Sequence, residues 1–282
     1  MIAGATGTLG LEITRILHRE GFPIRALVHK VKNIEKVKTY TRDIVIVDAR
    51  KPNQLKGVFE DVEVVFSTIG KSVSLFKQDP GTYDSIDFEA NSNLIREAHS
   101  SGVGRIVYTS IMGSAKENPL KLAQTHYKVE QLIASLFDSY TILRPTGFFS
   151  GLHDWIIFSK RGFIPVVGDG SWKTNSIYQK DLAEFAVQSI REGPKVVEIG
   201  GPQIHSRLEM AEIIREKTGA RIIQIPESVA KGLNLPLRLI SPSLFHNLDY
   251  FRFVCTRDMV GEKFGQLTFK KYMEQLDLDK LP

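Results

Sequence analysis

The sequence predicts an α/β fold, a parallel sheet with a small C-terminal lobe, on three observations. Short runs rich in Val and Ile alternate with helix-period segments through the first two thirds of the chain. Those runs lack polar alternation, as strands covered on both faces do. From residue 147 onward the rhythm stops, and aromatic and proline-broken apolar segments replace it. The 282 residues are 42% hydrophobic and 24% charged, enough apolar material for a sizeable core, which excludes disordered, collagenous and disulfide-scaffold classes.

After a short apolar opening at Met1–Ala3, the strand candidates are Ile24–His29, Asp43–Asp48, Val62–Gly70, Arg105–Ser110, Tyr140–Arg144 and Val196–Gly200. Leu9, Ile13, Ile16 and Leu17 follow the i, i+4, i+7, i+8 pattern of a helix that stops at Gly21. A second helix is expected to start near Asn33, and a long one to run over Ser92–Ser101 and end at Gly102. Ser206-Arg207-Leu208-Glu209 is a capping box opening a helix Leu208–Thr218, and a closing helix Thr268–Leu276 presents Phe269, Met273 and Leu276. Residues 1–146 are read as the core domain. Residues 147–282 complete the sheet at about 177–201 and build the lobe. Only three residues precede Gly4, where first strands of such sheets run ~5, so the natural protein is expected to begin a few residues upstream.

The balance of 37 Lys+Arg against 32 Asp+Glu gives a net charge of +5, with a local cluster at Lys30, Lys32, Lys36 and Lys38. No nucleic-acid-binding module accompanies it, so these lysines are a solvated face unless they sit beside a phosphate-bearing cofactor. The single Cys255 cannot form an internal disulfide and has no neighbouring base. It reads as a buried structural thiol in a reducing, cytoplasmic setting. No apolar stretch of ~18 residues occurs, so a membrane span is not expected, nor is a secretory leader at this start. The seven histidines, His18, His29, His99, His126, His153, His205 and His246, never stand at metal-ligand spacing with an acid, so no metal site is expected. Serine-hydrolase elbows and Walker loops are also missing.

The first glycine-rich turn carries the most chemistry. Gly4-Ala5-Thr6-Gly7-Thr8-Leu9-Gly10 joins an apolar strand to an amphipathic helix, the arrangement in which glycines permit a tight turn, close backbone approach to a pyrophosphate and close helix–strand packing. Gly4, Thr6, Gly7, Thr8, Leu9 and Gly10 are therefore dinucleotide-binding candidates on a Rossmann-type sheet. An NAD site usually places a carboxylate at the end of the second strand, on the ribose 2′-OH, whereas a 2′-phosphate suits cations. This chain has His29-Lys30-Val31-Lys32 there, which favours NADP(H) over NAD(H), with Lys30 and Lys32 on the phosphate and His29 a further cofactor-binding candidate. Asp48, with Ala49, ends the third strand and is a candidate acceptor for the adenine amino group. The alternative is a turn aspartate before Pro52.

The Gly4–Gly10 turn, Asp48, Phe66-Ser67-Thr68-Ile69-Gly70, Val107-Tyr108-Thr109-Ser110, Tyr140-Thr141-Ile142-Leu143-Arg144-Pro145, Gly168-Asp169-Gly170 and Asp181-Leu182-Ala183 together resemble the atypical short-chain dehydrogenase/reductases. Within that superfamily the chain is most similar to the NmrA-like, NAD(P)H-binding group. The resemblance implies a seven-stranded doubly wound (Rossmann) parallel sheet with the dinucleotide along the strand C-termini, and a small C-terminal substrate lobe built largely from C-terminal segments. It also implies that Ser67, Thr68, Ile69 and Gly70 pass the adenosine and pyrophosphate side, while Tyr108, Thr109 and Ser110, and Pro145, Thr146 and Phe148, border the nicotinamide.

The catalytic pair is where the sequence departs from that group, whose active members usually carry Tyr-x-x-x-Lys on the helix after the fifth strand. Aligning Val129-Glu130-Gln131 with the segment that follows the pair puts Leu122 at the Tyr position and His126 at the Lys position. Projected from the stripe Val129, Leu132, Ile133, Leu136 and Phe137, Leu122 and His126 fall within about 50° of its centre, while Tyr127 and Lys128 point more than about 100° away. His126 then relays a proton or bonds the ribose hydroxyls; the alternative is a core histidine. Ser110 is the second catalytic candidate, although the usual Ser/Thr position falls nearer Ile111.

Phe148-Phe149-Ser150-Gly151-Leu152 and Trp155-Ile156-Ile157-Phe158 suit a flat apolar substrate as a group, and individually most of them read as the seam of the small lobe. Val229–Phe253, apolar and broken by Pro236 and Pro242, is read as a pocket cap, with a second subunit or a membrane surface as alternatives. Two functional classes follow. The first is an NADPH-dependent oxidoreductase passing hydride to a small apolar carbonyl, enone or quinone. The second is a non-catalytic NADP(H)-binding redox sensor or assembly factor acting on a protein partner. A nucleotide-sugar epimerase or dehydratase is disfavoured, because that chemistry needs the missing Tyr.

Overall fold

The computed structural model describes residues 1–76, 80–234 and 236–281; Leu235 of the apolar Val229–Phe253 segment lies outside them. The chain forms two compact units. The first comprises Met1–Lys71, Gly81–Arg144 and Leu182–Val197, and the second Ser72–Pro80, Pro145–Asp181 and Glu198–Pro282.

The main sheet contains β1 (Ile2–Ala3), β2 (Arg25–Val28), β3 (Asp43–Ile46), β4 (Val64–Ser67), β5 (Arg105–Thr109), β6 (Tyr140–Pro145), β7 (Val196–Gly200) and β8 (Glu262–Lys263). Their spatial order is β8-β7-β6-β5-β4-β1-β2-β3, and the ladders are parallel, with Ile2 opposite both Ala26 and Phe66. The order reverses between β1 and β4, so β1 and β4 flank the crevice at which doubly wound sheets bind ligands beyond the strand C-termini.

The helices are α1 (Thr8–Arg19), α2 (Asn91–Ser100), α3 (Lys121–Leu136), α4 (His153–Lys160), α5 (Gln179–Gln188), α6 (Arg207–Thr218), α7 (Glu227–Asn234), α8 (Leu237–Ile240), α9 (Pro242–Cys255) and α10 (Phe269–Gln275). The predicted stripe of α1, Leu9, Ile13, Ile16 and Leu17, is buried, and the helix is followed by Gly21 at φ +77°. The α6 capping box is present in both directions: Ser206 accepts from the Glu209 N–H and the Glu209 carboxylate accepts from the Ser206 N–H.

Three local expectations need correction. The segment near Asn33 forms a 3₁₀ stretch, Val31–Lys36, with no buried side chain; without an apolar face, nothing holds a longer helix there. Strand β3 lies at the sheet edge with Asp43 and Ile46 exposed, so it is not covered on both faces. The sheet has eight strands rather than seven. The extra strand β8 pairs Glu262 with Ile199 through its backbone, and both its side chains are exposed, which leaves no hydrophobic pattern to read.

The core of the first unit packs Leu27, Val65, Leu94, Ile106, Val129 and Ile133. That of the second packs Phe149, Trp155, Ile156, Ile164, Met210 and Phe269, so these aromatic residues form the seam of the lobe. Among the described residues no helix is long and apolar enough to cross a membrane, and no cluster of metal-ligating side chains occurs.

Candidate functional site

The glycine-rich turn occupies the β1 side of the switch point. Gly4 has φ +83°, and a Cβ there would lie 2.6 Å from Thr68 Oγ1. A Cβ on Gly10 would collide with the Gly4 carbonyl, whose carbon it would meet at 2.8 Å. The turn is closed by the Gly7 N–H donating to Gly4 O at 2.9 Å and braced by the Thr68 hydroxyl donating to Ala3 O at 3.0 Å. Gly7 caps α1 with extended backbone and no side-chain hydrogen bond, so no side chain competes for the first N–H groups of the helix. Gly7 and Thr8 are exposed and Thr6 is half-buried, whereas the Leu9 side chain belongs to the core and offers only its backbone. A backbone cradle that a Cβ would fill, at the positive end of a helix, fits a dinucleotide pyrophosphate.

At the ends of β2 and β3, His29, Lys30 and Lys32 are exposed. Asp48 is held by Arg50, whose Nε and Nη2 donate to its two oxygens at 2.8 and 2.7 Å. Chiefly through those bonds, Arg50 lowers the Asp48 carboxyl to about 2. His29 Nε2 stands 3.8 Å from Asp48 Oδ2, and Ala49 is buried, its carbonyl accepting from Asn93.

Beyond β4, the Ser67–Gly70 turn is anchored from below. The Ser67 hydroxyl donates to Asn91 Oδ1 at 2.6 Å, and Asn91 Nδ2 donates to the carbonyls of Ile69 and Asp87. Asp87 lies on a π-helical stretch, Asp84–Ala90, that runs directly into α2, a local widening that frequently marks functional positions. Its Oδ1 accepts the Lys71 N–H at 3.1 Å and lies 3.6 Å from His126 Nε2. Its Oδ2 has no hydrogen-bond partner among the described residues. Burial pushes this carboxyl up to about 7.

His126 and Leu122 are buried on the inner face of α3 while Lys128 is exposed, as the helix geometry requires. The ring has a protein group at each nitrogen: Tyr108 Oη lies 2.6 Å from Nδ1, and Asp87 faces Nε2. Burial raises the Tyr108 phenol and lowers His126 to about 4. The phenol therefore keeps its proton and the ring stays neutral, sharing one hydrogen bond with the phenol at Nδ1 and facing Asp87 with Nε2. One helical turn further along, the Ser110 hydroxyl donates to Glu130 Oε1, and Arg144 clamps both Glu130 oxygens. Strand β5 and its extension thus present Tyr108 and Ser110 on one face, and α3 meets them with His126 and Glu130 at i, i+4. Thr109 alternates to the other face and is half-buried.

Pro145, Thr146 and Phe148 belong to the second unit. There the Thr146 hydroxyl donates to Asn175 O at 2.9 Å, and Phe148 is half-buried and bridged to Ile177. Cys255 is buried and free, its thiol pushed up to about 11 by burial.

A family model described as NAD(P)H-binding matches residues 4–193. The chain belongs to that NAD(P)H-binding family. It is 24% identical over 315 residues to the mitochondrial NADH dehydrogenase [ubiquinone] 1 alpha subcomplex subunit 9 of Arabidopsis thaliana, covering 100% of this chain and 73% of the relative. It is 27% identical over 245 residues to the photosystem II assembly factor Ycf39 of a Synechocystis species, covering 82% and 72%. The crystal structure of the Escherichia coli NADPH-dependent quinone oxidoreductase QOR2 with NADPH superposes with TM-score 0.73 at 18% identity, covering 97% of this chain and 98% of that one. The expected NAD(P)H-binding family is thus borne out by the family model, and the expected doubly wound fold by the likeness to solved structures.

The structure adds Asp87, Asn91, Glu130, Arg144 and Arg50 to the candidate positions that the sequence predicts. Asp87 and Asn91 carried a usable signal, two polar residues at i, i+4 just before the apolar stripe Leu94, Ile95 and Ala98. Glu130 and Arg144 carried none, since a charge in an amphipathic pattern gives no sign of the strand or helix that pairs with it.

Proposed function

We propose that the protein is an NADPH-dependent oxidoreductase whose hydride acceptor is a small apolar quinone, enone or carbonyl. The observation that carries the reading is the Gly4–Gly10 cradle, in which Gly4 and Gly10 have no room for a side chain. When bound, the nicotinamide supplies the hydride. The chain's own part is to bind and orient: backbone N–H groups of α1 for the pyrophosphate, the Ser67–Gly70 turn for the adenosine side, and Lys30 for the 2′-phosphate. Tyr108 and His126 are engaged with each other and with Asp87, so the acceptor that suits this site takes its proton from water. A quinone is such an acceptor, because its reduction needs orientation more than a protein acid. The name of the E. coli neighbour supports the same choice. The expected cytoplasmic location is part of this reading.

The same observation on Tyr108 and His126, together with a relative named as an assembly factor, favours a second reading, a non-catalytic NADP(H)-binding protein that reports cofactor occupancy to a partner. Following NADPH oxidation against a panel of quinones and enones, with NADPH binding measured on the same sample, separates the two. Turnover is expected. Tight NADPH binding with no oxidation of cofactor would replace the first reading by the second.

A further inference from the structure

We infer that Arg50, locked against Asp48 at the end of β3, is a specificity-determining residue that receives the 2′-phosphate of the dinucleotide together with Lys30. The inference rests on the NADP(H) reading above and extends it to a residue outside the glycine turn and the β2 end.

The argument starts from charge. Strands β2 and β3 are neighbours, with Val28 opposite Ile46 and the Val47 N–H donating to Val28 O at 3.0 Å, so Asp48 comes to lie beside His29. A bare carboxylate beside His29 would repel a phosphate dianion bound there. Asp48 is not bare. Its two oxygens are taken by Nε and Nη2 of Arg50, and the Arg50 backbone N–H adds a third bond to Oδ1 at 3.1 Å. The pair cancels its own charge, and the carboxylate is oriented towards the arginine.

The guanidinium is left with donors to spare. Of five N–H groups, two are used on Asp48, and the side chain remains 37% exposed. Glu89 is a further acid that acts on it, at a range that brings no salt bridge. Fixing one edge of the fork on Asp48 sets the direction of the other, so binding a phosphate costs little further side-chain ordering. Planar, bidentate donation to a phosphate is a geometry that a lysine cannot supply. Lys30 then contributes a mobile point charge and Arg50 the directional contact.

The test compares 2′,5′-ADP with 5′-AMP by titration calorimetry on the full chain, for the unmodified protein, Arg50→Met and Lys30→Met, with thermal unfolding as the check on folding. The two nucleotides differ only in the 2′-phosphate, so the readout does not depend on turnover. The unmodified protein is expected to prefer 2′,5′-ADP, and Arg50→Met to cut that preference by about tenfold to a hundredfold, the range for a lost charge-assisted bond. Preference retained in Arg50→Met but lost in Lys30→Met would overturn the role of Arg50 and leave the NADP(H) reading standing. A protein that does not discriminate between the two nucleotides would overturn both.

Discussion

Asp87 and His126 are predicted to hide each other's pH dependence. Asp87 has a carboxyl raised to about 7 in the folded chain by burial, so the native state holds a proton that the unfolded chain, with an ordinary carboxyl near 3.8, has released. Stability contributed this way is complete below the unfolded value and is lost as pH rises through about 7. His126 is lowered to about 4, so the unfolded chain takes up a proton that the native state refuses. Its contribution is complete above the unfolded value and is lost as pH falls towards about 4. At 1.36 kcal/mol per unit, the two effects are on the order of 4 and 3 kcal/mol with opposite signs between about pH 4 and 6.5. In the unmodified protein they largely cancel. Asp87→Asn exposes the histidine, and this variant should lose stability relative to the unmodified chain on acidification from about pH 6.5 to 4.5. His126→Gln exposes the acid, and that variant should gain relative stability over the same interval. Urea unfolding at several pH values measures both, and the comparison removes every group the three proteins share. Parallel pH profiles for the three would refute the reasoning, because they would mean that neither group changes its proton affinity on folding.

Other outcomes follow from the same geometry. Gly10→Ala puts a Cβ into the Gly4 carbonyl; since backbone must move, a loss of about 1–3 kcal/mol is expected, together with weaker NADPH binding, and unchanged thermal unfolding and affinity would show the turn to be roomier than described. Ser206→Ala removes the α6 capping bond and should cost about 1 kcal/mol in urea unfolding without altering NADPH affinity. Cys255, buried with its thiol raised to about 11, should react with a thiol reagent only on unfolding, so rapid labelling of the native protein would contradict its placement.

Much of this molecule is legible because the signals are local. The period of Leu9, Ile13, Ile16 and Leu17, the Ser206–Glu209 box and the glycine turn each announce themselves within a few residues, and a helix or tight turn is stabilised over the same short range. The inward direction of His126 came from helix geometry alone, extrapolated from Val129 and Ile133. The 3₁₀ stretch at Val31–Lys36 and the exposed β8 escaped detection because neither buries side chains, and hydrophobic pattern records only burial.

By itself, then, the sequence determined an α/β fold with a parallel sheet, the glycine-rich turn after the first strand and the absence of a Tyr-x-x-x-Lys pair on α3. Tertiary structure decided what surrounds those features. Asp87 reaches His126 because the π-helical stretch before α2 packs against α3; Glu130 finds Arg144 and Ser110 because α3 lies across the ends of β5 and β6; and Asp48 meets His29 because β3 pairs with β2. The physical reason is common to all three. A buried charge or hydroxyl is acceptable only with a partner, and the partner is supplied by chain packing across long sequence separations, where no local pattern records it.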